Sequence, residues 1–121
     1  MTMDDIVNLD CRKEGNNEII QKYLKKIKPL AKYKGIENVP IYKIEKVIVV
    51  LSKKYNVRVR EFAPDFWSND EEVIWRAILV DDRDLKQVDI VFGLSLYEVV
   101  AKTAIYMYSL RNKVGERQGG K

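Results

Sequence analysis

Two acidic clusters, Asp70-Glu71-Glu72 and Asp81-Asp82-Arg83-Asp84, are the densest groups of candidate ligands in the chain. Carboxylates packed this closely are hard oxygen donors of the kind a divalent cation takes. Neither cluster carries the glycine and closing glutamate of a calcium-binding loop, so solvated turns are expected and no metal is assigned. Cys11, the single cysteine, sits beside Arg12 and Lys13, whose charges favour its thiolate. One thiol without a partner builds neither a zinc cluster nor an intramolecular disulfide. The chain has no histidine, and with it go the commonest general base and the commonest metal ligand. Gly15, Gly35 and Gly93 stand alone, so no glycine-rich phosphate loop is present. No catalytic residue and no cofactor is predicted, and the chain reads as a non-enzyme.

The remaining candidates are binding residues. Arg76 interrupts an otherwise apolar run, where it could hold an anion; a cross-strand pair with Glu61 or Asp89 is the favoured expectation. Phe66 and Trp67 stand in an acidic loop and suit an interaction anchor, because loop aromatics often become binding hot spots; folding back over the core edge is the competing fate. Tyr97, Tyr106 and Tyr108 recur at helical spacing and read first as core packing. Tyr97 and Tyr106, with Ile105, are also the residues this helix would offer a partner.

Charge is unevenly spread. Between Cys11 and Arg60 there are 14 Lys or Arg against 4 acids, and between Glu61 and Asp89 there are 9 acids against 3 bases. Such a chain either pairs its halves across the fold or presents a basic face, formed by Lys22, Lys25, Lys26, Lys28, Lys32, Arg58 and Arg60, to nucleic acid or an acidic partner. Those lysines are not interleaved with exposed aromatics, and no helix-turn-helix accompanies them, which counts against nucleic acid.

The elements that must position these residues follow from periodicity. The stretch Val73-Ile74-Trp75-Arg76-Ala77-Ile78-Leu79-Val80 is apolar on both faces except at Arg76, so it predicts a strand covered on two sides. Val57 and Val59 alternate with Arg58 and Arg60, as an edge strand does. Val88, Ile90 and Phe92 alternate with Gln87 and Asp89 in a third strand, giving an antiparallel meander with residues 73–80 in the middle. Ile19, Ile20, Tyr23, Leu24 and Ile27 recur at helical spacing after an N-cap at Asn16 or Asn17, and Pro29 should end that helix near Ile27 or Lys28. A second helix starts at Pro40, runs through Ile44, Val47, Ile48 and Leu51, and closes on Asn56 as a left-handed cap. Ser95 with Glu98 forms a capping box for a last helix, with Leu94 and Val99 as its hydrophobic staple. Its apolar arc from Leu96 to Leu110 leaves Glu98, Lys102 and Ser109 on the wet side. An arc that wide predicts contact with a second element or with another copy of the chain.

The expected fold is therefore α+β, a three-stranded antiparallel meander sandwiched between helices in the order α-α-β-β-β-α. At 121 residues, a single domain over 1–114 is expected, with residues 1–15 open as a loose arm or an edge strand and 115–121 as a flexible tail. No apolar run approaches the roughly 20 residues that span a bilayer, so no membrane partner is expected. The acidic Met1–Asp10 stretch is unlike a secretory leader, and one cysteine agrees with a reducing compartment, so a cytoplasmic location is expected.

The stretch from about Pro40 to Tyr108, with Trp75 in its central strand and Ala101 and Ala104 on the inner side of its closing helix, resembles the small helix–sheet–helix sandwich proteins of phages and prophages. It covers a little over half of the chain; the lysine-rich helix at 17–28 lies outside it. The resemblance implies an accessory protein that binds and redirects or inhibits a host component, and it carries no catalytic residues. The expected function is contact with a protein partner, with a dimer through the last helix, and nucleic-acid binding by the basic face is the alternative.

Overall fold

Local signals place most of the elements. In the computed structural model, which describes residues 3–9, 13, 15–33, 38–65 and 74–119, the order is α1 (Met3–Val7), α2 (Asn16–Leu24), a 3-10 helix (Lys28–Tyr33), α3 (Ile41–Tyr55), β1 (Val57–Asp65), β2 (Ile74–Asp81), β3 (Gln87–Gly93) and α4 (Leu96–Gly119). The fold is α+β: a three-stranded antiparallel sheet flanked by helices, with β2 in the middle of the order β1-β2-β3.

Strand β2 has the double burial its composition demands. Ala77 and Leu79 belong to the main core, while Ile78 and Val80, on the opposite face, are buried outside it. Trp75 packs against the core edge. Antiparallel partners share a face, so the register decides what lies beside each residue. Ala77 stands opposite Val91 and Arg76 opposite Phe92, which corrects the alternation expected for β3. Val91 points to the core, whereas Phe92 and Val88 are each 46% exposed. The cause is the pairing with β2, to which the pattern of β3 alone is blind. In β1 the pairing skips between Val59 and Glu61, a bulge that leaves Arg60 without an opposite partner. The favoured reading of Arg76 holds, since its guanidinium lies 3.8 Å from a Glu61 carboxylate oxygen.

The helices depart from expectation where tertiary contacts intervene. Residues 3–7 form α1 and are neither a loose arm nor an edge strand, because Ile6 is wholly buried and α1 packs on α4. Helix α2 is capped by Gly15 at φ 85°, without a side-chain cap from Asn16 or Asn17. It ends at Leu24, a turn earlier than Pro29 alone requires. The chain then tightens into the 3-10 helix, which carries Leu30 into the core, with Ile27 buried just before it. The aliphatic block Val47–Leu51 is helical, and Asn56 closes α3 in the left-handed conformation at φ 57°.

Helix α4 begins as its capping box predicts, with the Glu98 N–H donating to Ser95 Oγ at 3.1 Å. The Glu98 carboxylate reaches one residue further back and accepts from the Leu94 N–H at 2.9 Å. Just before this cap, a Cβ on Gly93 would stand 2.8 Å from the Val99 nitrogen, so only glycine lets β3 turn so tightly into α4. From Val99 to Met107 the helix is buried on every side, in contact with α1, α2, α3 and all three strands. The expected wet side at Lys102 and Ser109 does not exist, because the first two helices pile onto the flank that the sheet leaves free. The wide arc therefore finds its second element within one copy of the chain.

Burial of a polar flank is offset by local hydrogen bonds. Thr103 Oγ1 donates to the Val99 carbonyl at 2.7 Å and Ser109 Oγ to the Tyr106 carbonyl at 2.6 Å. Lys102, 2% exposed, donates from Nζ to the Leu9 carbonyl at 2.9 Å and to the Phe92 carbonyl at 3.1 Å. Its ammonium thus joins the segment after α1, the end of β3 and the middle of α4. Lys102→Ala removes both donors and leaves a cavity along the stem, and should destabilise the fold by about 3 kcal/mol in urea unfolding. Lys102→Met should recover only the packing part of that loss. Wild-type stability in both variants would show that the amine is not a structural tie.

Candidate functional site

Helix α3 leaves apolar side chains in water. Ile44, Val47, Ile48 and Leu51 turn inward, while Val49 and Val50 at 53% and 64% exposure are left outside and line different clefts. Each outer valine opens into a cleft, and the two clefts differ in charge.

The first cleft lies between α3 and the 3-10 helix and holds about 450 Å³. Its floor is aliphatic, built from Ile27, Leu30, Val47, Val50 and Leu51, with Tyr108 at one end. Its rim is made by Lys28 and Lys32 from the 3-10 side and by Lys43, Lys46 and Lys54 from α3, with no carboxylate among the lining residues. The sequence places these α3 lysines at spacings of three and eight around Val47 and Val50, which is one helix stripe. Three of the five stand over tyrosine rings: Lys32 over Tyr33 at 5.3 Å, Lys43 over Tyr42 at 5.4 Å and Lys54 over Tyr55 at 5.6 Å. A ring face attracts an ammonium and narrows where it can go.

The second cleft, about 610 Å³, lies between α3 and β1 and is lined by Glu45, Val49, Ser52, Lys53, Arg58 and Asp82 among others. Its charges are mixed, and Arg58 Nε stands 3.5 Å from an Asp82 carboxylate oxygen. Ser52 Oγ donates to the Ile48 carbonyl at 2.6 Å and lies 3.5 Å from the Met107 sulfur.

The residues singled out in the sequence are scattered by the fold. Ile105 has no exposed surface and Tyr106 only 8%, which corrects their assignment to partner binding: both are core residues of α4. Tyr97 is half-buried, and its hydroxyl donates to the Val39 carbonyl and accepts from Gln21 Nε2 at 3.0 Å, while Gln21 Oε1 accepts from the Val39 N–H at 3.0 Å. Burial raises the Tyr97 hydroxyl pKa, partly countered by the Gln21 hydrogen bond. The tyrosine thus staples α2 and the strand-like segment before α3 to α4. Phe66, Trp67, Cys11 and the cluster Asp70-Glu71-Glu72 lie outside the described residues.

The basic set divides too. Lys22, Lys26, Lys28 and Lys32 are exposed and Lys25 is half-buried on α2 and the segment after it, whereas Arg58 and Arg60 lie on β1, across the body of the protein from α2. Only Lys28 and Lys32 reach the lysine-rimmed groove. Lys43, Lys46, Lys54 and Val50 were not among the predicted residues; the signal for them was the single face of α3 that carries lysines on both sides of exposed valine.

The cluster Asp81-Asp82-Arg83-Asp84 is a turn. The Arg83 backbone N–H and Nε donate to Asp81 Oδ1 at 2.8 and 3.0 Å, and its Nη2 donates to Oδ2 at 2.8 Å. Among the described residues no cluster of acids, cysteines or histidines could hold a metal, and no helix is long and apolar enough to cross a membrane. No protein-family model, curated protein or solved structure matches the chain.

The Asp81 turn has a clear signature in acid. The Arg83 side chain first, then its backbone N–H, holds the Asp81 carboxyl down to about 2 against an ordinary 3.8. A depressed carboxyl contributes fully above the unfolded value and loses its contribution as pH falls through the folded one, so this turn should weaken only between about 3.8 and about 2. In a carbon-detected NMR titration, the Asp81 carboxyl should show its midpoint near 2, and Arg83→Ala should return it towards 3.8. A midpoint unchanged by that substitution would contradict the assigned cause.

Proposed function

We propose that this chain is a non-enzymatic binding protein that acts by contact with a protein partner at the groove between α3 and the 3-10 helix. One observation carries the reading: Val50, 64% exposed, sits on an aliphatic floor inside a ring of five lysines that has no carboxylate in it. Apolar surface held open to water and rimmed by one sign of charge is what a binding face needs and what a solvated surface avoids. The absence of histidine and the tied hydroxyl of Ser52 are in keeping with a role without catalysis.

Inhibition or redirection of a host component by an accessory protein of a phage or prophage belongs to this reading, on the strength of the helix and strand pattern around Trp75, as does a cytoplasmic location. A different protein is favoured over a second copy as the partner, because α4, the helix expected to make a dimer, is buried from Val99 to Met107 within one copy of the chain.

Nucleic acid is the second reading, favoured by the exposed Lys22, Lys26, Lys28 and Lys32. One experiment separates the two. A photo-crosslinking residue at position 50 should capture a protein in cells, and Lys43→Glu with Lys46→Glu should abolish that capture while the variant stays folded. A gel shift with DNA or RNA that falls steeply with salt and disappears when Lys25, Lys26 and Lys28 become Glu would favour the second reading instead. Loss of neither signal on lysine reversal would remove both.

A further inference from the structure

The groove's construction also narrows what its partner must present. Lys43 and Lys54 stand near the two ends of one stripe on α3, and at 1.5 Å per residue they span about 16 Å, or about three helical turns. Lysine stems add apolar wall while the ammonium groups stay in water. A ligand lying along this stripe therefore meets the aliphatic surface of Val47, Val50 and Leu51 together with positive charge from α3 itself and from the neighbouring 3-10 helix. None of the five lysines forms a salt bridge with a described carboxylate, so their charge is available. Three of them are already steered by tyrosine rings, which lowers the entropy lost when they fix a ligand.

Three occupants suit positive charge: a nucleic acid strand, an anionic lipid and an acidic peptide. Single-stranded nucleic acid needs flat aromatic faces for its bases, and this floor is aliphatic apart from Tyr108 at its end. A lipid chain needs an enclosed slot, whereas Val50 lies open to water at the centre of the groove. Two helical elements with aliphatic surface between them match an amphipathic helix laid along α3.

Resting on the protein-binding reading above, we propose that the docking element of the partner is an acidic amphipathic helix of about three turns, seated along α3. Its apolar stripe covers Val47, Val50 and Leu51, and its Asp and Glu flanks face Lys28 and Lys32 on one side and Lys43, Lys46 and Lys54 on the other. Attraction between the flanks and the rim speeds encounter and sets orientation, and the aliphatic contact slows release.

The test uses the full chain and synthetic fluorescent peptides. One peptide carries leucines at helical spacing flanked by glutamates; a second has the same composition in an order that spreads the leucines around the helix; a third replaces the glutamates by lysines; an oligothymidylate is the fourth probe. The first should bind at least about tenfold more tightly than the second, gain helical circular dichroism on binding, and weaken as salt rises. Amide NMR shifts should concentrate at Lys46, Val47, Val50 and Leu51. Val50→Asp, and Lys46→Glu with Lys54→Glu, should each weaken binding about tenfold; both sites are on the surface of α3, and an unchanged unfolding midpoint would certify the fold.

Equal binding of the first two peptides, shifts away from α3, or oligothymidylate competing as strongly as the acidic peptide would overturn the proposal. Sequencing the peptide captured from cells at position 50 separates this failure from that of the broader reading. A captured segment that is basic or extended would end the acidic-helix proposal and leave protein binding standing. No lysine-dependent capture would end both.

Discussion

Enclosure of α4 is the constraint on which the rest of this structure depends. A helix surrounded by two helical layers and a sheet has no face for polar side chains, yet this one carries Lys102, Thr103 and Ser109 in its buried turns. Thr103 and Ser109 satisfy themselves on their own helix. Lys102 cannot, and its ammonium takes the carbonyls of Leu9 and Phe92 instead, joining two segments distant in the chain. A buried ammonium is tolerated only when its donors are used, so the position of the first residues and the end of β3 are both set by this side chain. Tyr97 and Gln21 repeat the device one layer out, closing a hydrogen-bonded ring on the Val39 backbone.

With its centre built from α4, the protein leaves the outer face of α3 open to water. That helix buries one stripe against α4 and leaves a valine on each shoulder. The charge imbalance along the chain resolves unequally around it. Three acids of the acidic half are paired within the sheet and its turns, where Glu61 meets Arg76, Asp81 meets Arg83 and Asp82 draws in Arg58 from the basic half. Lys28, Lys32, Lys43, Lys46 and Lys54 form no salt bridge with a described carboxylate and gather around apolar surface. The two expectations for the charge distribution fare differently: the halves pair at β1, where Arg58 meets Asp82, while the expected basic face is divided and only its Lys28 and Lys32 line the groove.

How much of the site was legible follows from where its parts lie in sequence. Lys28 and Lys32 were singled out because they belong to a visible run of lysines, and their exposure agrees with that. Lys43, Lys46 and Lys54 lie in a helix whose apolar periodicity carries its reading, and that reading gives them no binding role. The helical spacing already puts Val47 on the buried stripe with Ile44, Ile48 and Leu51 and leaves Val49 and Val50 off it, but that Val50 opens onto a lysine-rimmed cleft depends on how the 3-10 helix packs beside α3. Ile105 and Tyr106 failed as partner residues for the same reason in reverse: their helix had neighbours that the wide arc could not name.

The sequence by itself determined the α+β class, the meander with a doubly apolar central strand, the capping box at Ser95 and the left-handed close of α3 at Asn56, while it left Glu61 and Asp89 open as partners of Arg76. Each depends on residues that are near in the chain or on a strand pattern two residues long, and local backbone preference and alternation suffice for those. Only the tertiary structure decided that β3 turns Val91 rather than Phe92 to the core, that residues 3–7 dock as a helix, that Lys102 is buried, and that lysines far apart in sequence share one groove. Those outcomes depend on register and on contacts between distant segments, which follow from how layers cover one another and not from the periodicity of any single element.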